Sequence, residues 1–225
     1  VTLSGEKHYR ISGYDLMPPF FISLVSHDDH WLFISSTGGL TAGRKDENSA
    51  LFPYYTEDKI AASAEITGSK TLLRVRMNER LYLWEPFSAK YEGVYKIRRN
   101  LYKNFAGNKI IFEEINDDLK LTFRYSWQFS EKYGIVKRSE LENNGTETKE
   151  TDILDGIQNI LPYGVGAALQ NETSNLVNAY KKNELHEASG LGIFTLSAMI
   201  VDKAEPAEAL KSTTVWSAGL PVDIH

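Results

Sequence analysis

Leu119-Lys120-Leu121-Thr122-Phe123-Arg124-Tyr125-Ser126-Trp127-Gln128-Phe129-Ser130 carries the clearest pattern in the chain. Leu119, Leu121, Phe123, Tyr125, Trp127 and Phe129 alternate with polar or charged neighbours, and a period of two places them together on the buried face of a β-strand. Just upstream, Asn116-Asp117-Asp118 separates this strand from another at residues 109–115, which is a meander connection rather than a βαβ crossover. The same alternation sets Thr71, Leu73, Val75 and Met77 against Lys70, Arg74 and Arg76.

Further strands follow in both directions. Residues 19–25 and 31–35 flank Ser26-His27-Asp28-Asp29-His30, a polar interval of turn formers, and so predict a β-hairpin. Residues 133–142 end at Asn143-Asn144-Gly145-Thr146, whose Asn-Gly pair suits the positive φ of a tight hairpin turn, with residues 148–153 expected to return alongside. Beyond Asp155, the interruptions at Gly156, Pro162, Gly164 and Gly166 predict a short helical turn and loop. Residues 174–185 fit a helix face through Leu176, Val177, Ala179 and Tyr180, and fit a polar-edged strand nearly as well; the strand is the reading adopted. Gly192, Phe194, Leu196, Ala198 and Ile200 alternate again, and residues 202–206 make a polar break before a last run at 210–216. On the order of a dozen strands or more, with little helix, predict a mainly β fold, a large antiparallel sandwich with few short helices.

Composition sets the outer bounds. The 225 residues carry 25 basic and 30 acidic side chains, a formal charge of −5, and are 42% apolar, enough for one large domain or two small ones with a real core. Mean hydropathy is −0.34 and no apolar run approaches the roughly 20 residues of a membrane span. The basic excess of a nucleic-acid binder is missing, so the expected partners include neither membrane nor nucleic acid. Lys96, Arg98, Arg99 and Lys103 would form a local basic patch only if strand alternation did not split them. Without cysteine there is no disulfide framework and no thiolate chemistry, which leaves the bacterial cytoplasm and periplasm both open.

Few motifs carry chemistry. His27-Asp28-Asp29-His30 has ligand-type side chains, but neighbours in a tight turn point in different directions and the cluster reads as turn chemistry, not as a metal site. His186-Glu187 lacks the second histidine of a zinc-protease helix, and His8 has no evident partner. There is no G-x-S-x-G elbow and no phosphate-binding loop; Gly164-Val165-Gly166 and Gly190-Leu191-Gly192 stop short of a dinucleotide fingerprint, and no cofactor is expected. Asn144-Gly145-Thr146 and Asn171-Glu172-Thr173 are glycosylation sequons only in a host that modifies them. Glu85, Glu113, Glu114 and Asp58 are the carboxylates whose neighbours are suggestive of glycoside chemistry, without a pair located across a cleft. The richest stretch is Leu83-Trp84-Glu85-Pro86-Phe87, followed by Tyr91, Tyr95, Arg98 and Arg99. An aromatic face covers the C–H face of a pyranose while Arg and Glu hydrogen-bond its hydroxyls, so Trp84, Glu85, Arg98 and Arg99 are candidate sugar-binding residues. The alternative for Trp84 is a place in the core or between sheets, and Trp31, Trp127 and Trp216 sit in buried-face patterns.

A family resemblance runs through Trp31-Leu32-Phe33-Ile34-Ser35-Ser36-Thr37-Gly38-Gly39, Leu51-Phe52-Pro53-Tyr54-Tyr55-Thr56-Glu57-Asp58, Leu83-Trp84-Glu85-Pro86, Val136-Lys137-Arg138-Ser139-Glu140-Leu141-Glu142-Asn143 and Asp155-Gly156-Ile157-Gln158-Asn159-Ile160-Leu161-Pro162-Tyr163-Gly164. In this order the segments resemble the N-terminal galactose-mutarotase-like β-supersandwich of cellobiose-phosphorylase-like enzymes. The resemblance implies a supersandwich over residues 1–218 and, at 219–225, the start of a linker to a C-terminal (α/α)6 barrel that would hold the general acid and any phosphate site. The chain, opening at Val1 rather than methionine, then reads as a piece of a longer protein. None of the matching strings is a catalytic signature, so no catalytic residue is assigned; Tyr54, Asp58 and Arg44 are candidates for the rim of a glycan pocket.

Three functions fit these observations. The first is a noncatalytic, carbohydrate-associated sandwich that supports the catalytic barrel of a bacterial glycoside phosphorylase or hydrolase, lines part of the glycan site and contributes to a homodimer. The second is a free-standing module that binds an oligo- or polysaccharide. The third is a mutarotase-like aldose epimerase, which needs a histidine acid and a carboxylate base facing one concave sheet.

Overall fold

The structure, a computed structural model, describes residues 1–26, 28–172, 174–197, 211–219 and 223. The described chain is mainly β, with antiparallel sheets and three short helices. It divides into two compact units, Val1–Leu40 with Thr56–Gln158 and Thr41–Tyr55 with Asn159–His225.

The first unit begins with β1 (Thr2–Leu3), β2 (Glu6–Ser12), β3 (Phe21–Leu24) and β4 (His30–Ser35). β3 and β4 form the expected hairpin, with Phe21 opposite Ser35 and Leu24 opposite Leu32. The chain then turns through Gly38 and Gly39 into β5 (Leu40–Arg44), which carries it into the second unit. Gly39 is required by contact: a Cβ there would strike the carbonyl of Ile60 and lie 3.0 Å from Ser63 Oγ. After α1 (Glu57–Ala62) come β6 (Gly68–Met77), β7 (Arg80–Trp84), β8 (Ile97–Asn104), β9 (Lys109–Asn116), β10 (Leu121–Ser130), β11 (Gly134–Asn143) and β12 (Glu150–Gln158).

A six-stranded sheet has the order β1-β2-β8-β9-β10-β11 and a three-stranded sheet the order β12-β6-β7. Cross-strand partners share a face of the pleat. On one face of the larger sheet Arg99 lies opposite Glu114 and Leu101 opposite Phe112. Phe123, Tyr125 and Trp127 continue that face opposite Glu114, Phe112 and Ile110. Leu101, Phe112, Phe123 and Trp127 are buried, as are Leu73 and Val75 of the smaller sheet, so the long alternating strand packs its apolar face into the core. The polar side of the same strand is not a solvated face: Thr122 and Ser126 are buried as well.

One connection departs from its sequence pattern. Residues 148–153 do not return beside β11; β12 pairs with β6, with Glu150 opposite Arg76 and Gln158 opposite Gly68. Neither Asn144 nor Gly145 takes a positive φ. Instead Asn143 Oδ1 accepts from the backbone N–H of Gly145 at 3.0 Å and from Lys149 Nζ at 2.7 Å. That side-chain turn lets the chain leave one sheet and join the other. The strand also runs three residues beyond Asp155, through Gly156, where a helical turn was expected.

In the second unit, the backbone N–H of Leu51 donates to Ala42 O at 2.8 Å and that of Leu161 to Leu51 O at 2.9 Å. α2 (Ala167–Glu172) and α3 (Ser174–Tyr180) precede a three-stranded sheet of β13 (Lys181–His186), β14 (Leu191–Leu196) and β15 (Thr213–Trp216), in that order. The segment read as a strand over 174–185 is thus helix to Tyr180 and strand from Lys181. Val177 is buried and Leu196 caps the buried face of β14, while Trp216 is 46% exposed, unlike the buried-face residue its pattern suggests. Ala198, Ile200, residues 202–206 and Leu210 lie outside the described residues. No helix among the described residues is long and apolar enough to cross a membrane.

Candidate functional site

Glu114, buried on β9, organises the sequence's most suggestive stretch. Its Oε1 accepts the indole N–H of Trp84 at 2.8 Å. Its Oε2 accepts the backbone N–H of Phe87 at 2.7 Å and Nε of Arg99 at 2.8 Å. Donors from both sheets and from the turn after β7 therefore meet on one carboxylate. Phe87 adopts φ 67°, a conformation that disfavours a side chain, and the Glu114 contact together with an edge-on Tyr125 ring at 5.1 Å holds it there. Arg99 lies 5.9 Å from the centre of the Phe87 ring, and Glu114 keeps its guanidinium cationic against a burial that works the other way.

Glu85, the next residue after Trp84, is buried and ion-paired with Lys70 of β6. Lys70 also donates to Glu65 Oε2 at 2.6 Å, and Glu65 Oε1 accepts from Ser88 Oγ at 3.0 Å and from the backbone N–H of Ala89 at 2.9 Å. Burial is the largest single influence and works against charge on both Glu65 and Lys70, but the hydrogen bonds and opposite charges around each together outweigh it: the carboxyl is held below the ordinary glutamate value and the amine, facing Glu65 and Glu85, above the ordinary lysine value. The recess lined by Thr37, Glu65, Lys70, Thr71 and Ser88 has a volume of about 20 Å³, space for one water molecule and not for a sugar ring.

On the opposite face of the six-stranded sheet, Glu113 accepts from Asn100 Nδ2 and from the hydroxyl of Tyr102, both at 2.8 Å, and pairs with Arg124. Burial pushes against its ionisation, yet the donors prevail and hold the carboxyl below the ordinary glutamate value. Burial, with the same hydrogen bond, pushes the Tyr102 phenol up to about 12. Arg124 reaches on to Glu142 at 2.7 Å and Glu140 at 3.3 Å. Where the two sheets face each other farther along, Lys137 Nζ lies 2.6 Å from Asp155 Oδ1, which also accepts from the hydroxyl of Thr71 at 2.6 Å. Burial pulls the Lys137 amine below the ordinary lysine value, and Asp155 offsets part of that fall.

The structure brings Trp84, Glu85 and Arg99 into neighbouring parts of this interior network. Arg98 points to the other face of β8, where it is exposed and makes a two-pronged contact with Asp117 at 2.8 and 3.0 Å. Asp58 is exposed on α1, its carboxyl held below the ordinary aspartate value by the hydroxyl of Thr56 at 2.6 Å and the backbone N–H of Lys59. Tyr54 and Arg44 belong to the second unit, where the backbone N–H of Tyr54 donates to Gln170 Oε1 at 2.8 Å. His8 is buried, its Nδ1 2.9 Å from Glu6 O; His186 is exposed, its Nδ1 2.7 Å from Ser189 Oγ. His27 lies outside the described residues, among which no cluster of His, Cys, Asp and Glu is arranged to hold a metal.

Sequence reasoning missed Glu65, Lys70 and Tyr102 as members of these networks. The available signal was register: Glu113 and Glu114 are adjacent and must point to opposite faces, so each had to find a separate set of donors. In class, the chain is an antiparallel, mainly β sandwich protein whose central carboxylates are tied to cations and indole or phenol donors. Neither the protein-family models nor the curated proteins compared with the chain give a match.

Proposed function

We propose that the chain is the noncatalytic, carbohydrate-associated sandwich of a bacterial glycoside phosphorylase or hydrolase, supporting a C-terminal (α/α)6 barrel and stiffening one wall of its glycan site. The observation that carries the reading is the condition of Trp84, Glu85 and Arg99. Each is committed to an interior partner, Glu114 or Lys70, so they brace a wall instead of presenting a general acid or a free stacking face. An antiparallel scaffold whose central carboxylates are tied internally is suited to positioning another domain.

Reading the coding sequence past the codon for His225 and assaying the complete product on β-linked disaccharides, with and without phosphate, tests this. The expected result is a continuation of several hundred residues with helical-hairpin periodicity and release of sugar 1-phosphate or of free sugar. A stop codon at that point, with saturable glycan binding by the isolated chain, would transfer the assignment to a free-standing binding module. Interconversion of glucose anomers by the purified chain would transfer it to an epimerase.

A further inference from the structure

At the β2–β8 end of the larger sheet's apolar face lies a cleft of about 330 Å³, within the size range of about 300–1,000 Å³ usual for small-molecule sites. Tyr9 pairs directly with Lys103, and Ile11 with Leu101, so all four side chains share this face. Phe20, just before β3, and Phe21, Ile22 and Ser23 of β3 complete the lining. The lining is dominated by aromatic and aliphatic groups, and Tyr9 is itself backed by Phe105, stacked at 4.4 Å. A pyranose would need several hydrogen-bonding side chains around its hydroxyls, and this cleft supplies too few of them.

Its charge is a single cation. Lys103 Nζ donates to Ser23 O at 2.9 Å, which occupies one of the three ammonium donors, and among the described residues it has no carboxylate in ion-pair range. The cations of the two-sheet networks, by contrast, are each matched to an acid: Arg99 to Glu114, Arg124 to Glu113, Lys137 to Asp155, Lys70 to Glu65. An unmatched ammonium at the edge of an apolar cleft favours a ligand with one negative head and a hydrocarbon body, because charge-assisted hydrogen bonds to a carboxylate are the strong ones and the body buries apolar surface.

We propose that this cleft binds an amphipathic monocarboxylate, its head on Lys103 and its hydrocarbon body against Tyr9, Ile11, Leu101 and Phe21. The site is independent of the glycan reading, since a supporting sandwich and a free-standing domain would both retain it.

Calorimetric titration of the full chain with decanoate, and with decanol as the neutral analogue, tests the assignment. Saturable binding of decanoate at one site is expected, with decanol weaker by about tenfold. K103Q is expected to remove that preference, bringing decanoate to the level of decanol. Y9S, at a position 63% exposed and so tolerant of change, is expected to weaken both. Circular dichroism of each variant establishes that it is folded. Absence of saturable decanoate binding, or equal affinity for decanoate and decanol in the unsubstituted chain, overturns the proposal. So does a dimer in sedimentation that Y9S dissociates and decanoate leaves intact, because the cleft would then be covered by a second copy. Benzoate or a longer aryl carboxylate binding at Lys103 more tightly than decanoate would keep the site and fix an aromatic body.

Discussion

The indole N–H of Trp84 and the carboxylate of Glu114 lie 2.8 Å apart and join the three-stranded sheet to the six-stranded one through a buried polar contact. Apolar packing between the two layers is non-directional. This bond fixes where β7 sits along β9, because Trp84 is buried to 1% exposure and its donor has a specific acceptor there.

Replacing Glu114 by alanine leaves the Arg99 guanidinium and the Trp84 and Phe87 N–H groups without their acceptor in the interior. Breaking one side of such a buried pair costs about 3–5 kcal/mol. Urea unfolding of E114A is expected to show a loss in that range, and a loss below about 1 kcal/mol would mean that the network relaxes around water.

Arg98 and Arg99 are sequence neighbours on opposite faces of β8, and their substitutions are expected to diverge. R99M removes the partner of a carboxylate whose side chain is 2% exposed and should cost several times more stability than R98M. R98M breaks only an exposed pair with Asp117, worth about 0–1 kcal/mol. Equal midpoints for the two variants would contradict the face assignment.

Two glycines make a similar contrast. G39A would drive a methyl group into the backbone carbonyl of Ile60 and is expected to cost about 1–3 kcal/mol or more. G156A, in β12 with ordinary φ and nothing within 4 Å of the added carbon, is expected to be neutral or to stabilise by about 0.5–1 kcal/mol. Thermal melts of the two variants check both directions.

Alkaline pH supplies the fourth expectation. Tyr14, Tyr102 and Tyr125 all have phenols raised by burial, Tyr102 to about 12 and the other two well above their ordinary value of 10.0. Above that ordinary value the unfolded chain loses these protons and the folded chain keeps them, so stability is intact below pH 10 and falls as pH rises beyond it. Each phenol contributes a slope of up to about 1.4 kcal/mol per pH unit. Absorbance titration is expected to show Tyr14 and Tyr125, two of the 12 tyrosines, ionising only with unfolding, and Tyr102 titrating late, at about 12. Ordinary reversible titration of all 12 would overturn it.

The long strand around Tyr125 was legible because one side chain in two is large and apolar, a period that a helix does not present. The β3–β4 hairpin was legible for the related reason that two apolar runs flank a polar turn. The partner of β12 was not. An Asn-Gly pair is equally compatible with a tight hairpin and with the side-chain turn that Asn143 builds, and the choice depends on β6, which is far away in sequence. Residues 174–185 failed differently: a helix of seven residues next to a strand of six presents both periods within one window. The Glu114 network lay between these cases. Trp84, Glu85, Arg99 and Glu114 could each be singled out as chemically suggestive, but their pairing follows from cross-strand register and from two sheets coming face to face.

The pairing of β6 with β12 also bears on how the protein is made. Arg76 and Glu150 are 74 residues apart, so during synthesis β6 emerges from the ribosome long before the strand that completes its sheet. Until residue 158 is out, the β6–β7 hairpin has an open edge along β6. The nascent chain therefore passes through a stage at which it is open to edge-to-edge association, and the closing strand, arriving late, ends it.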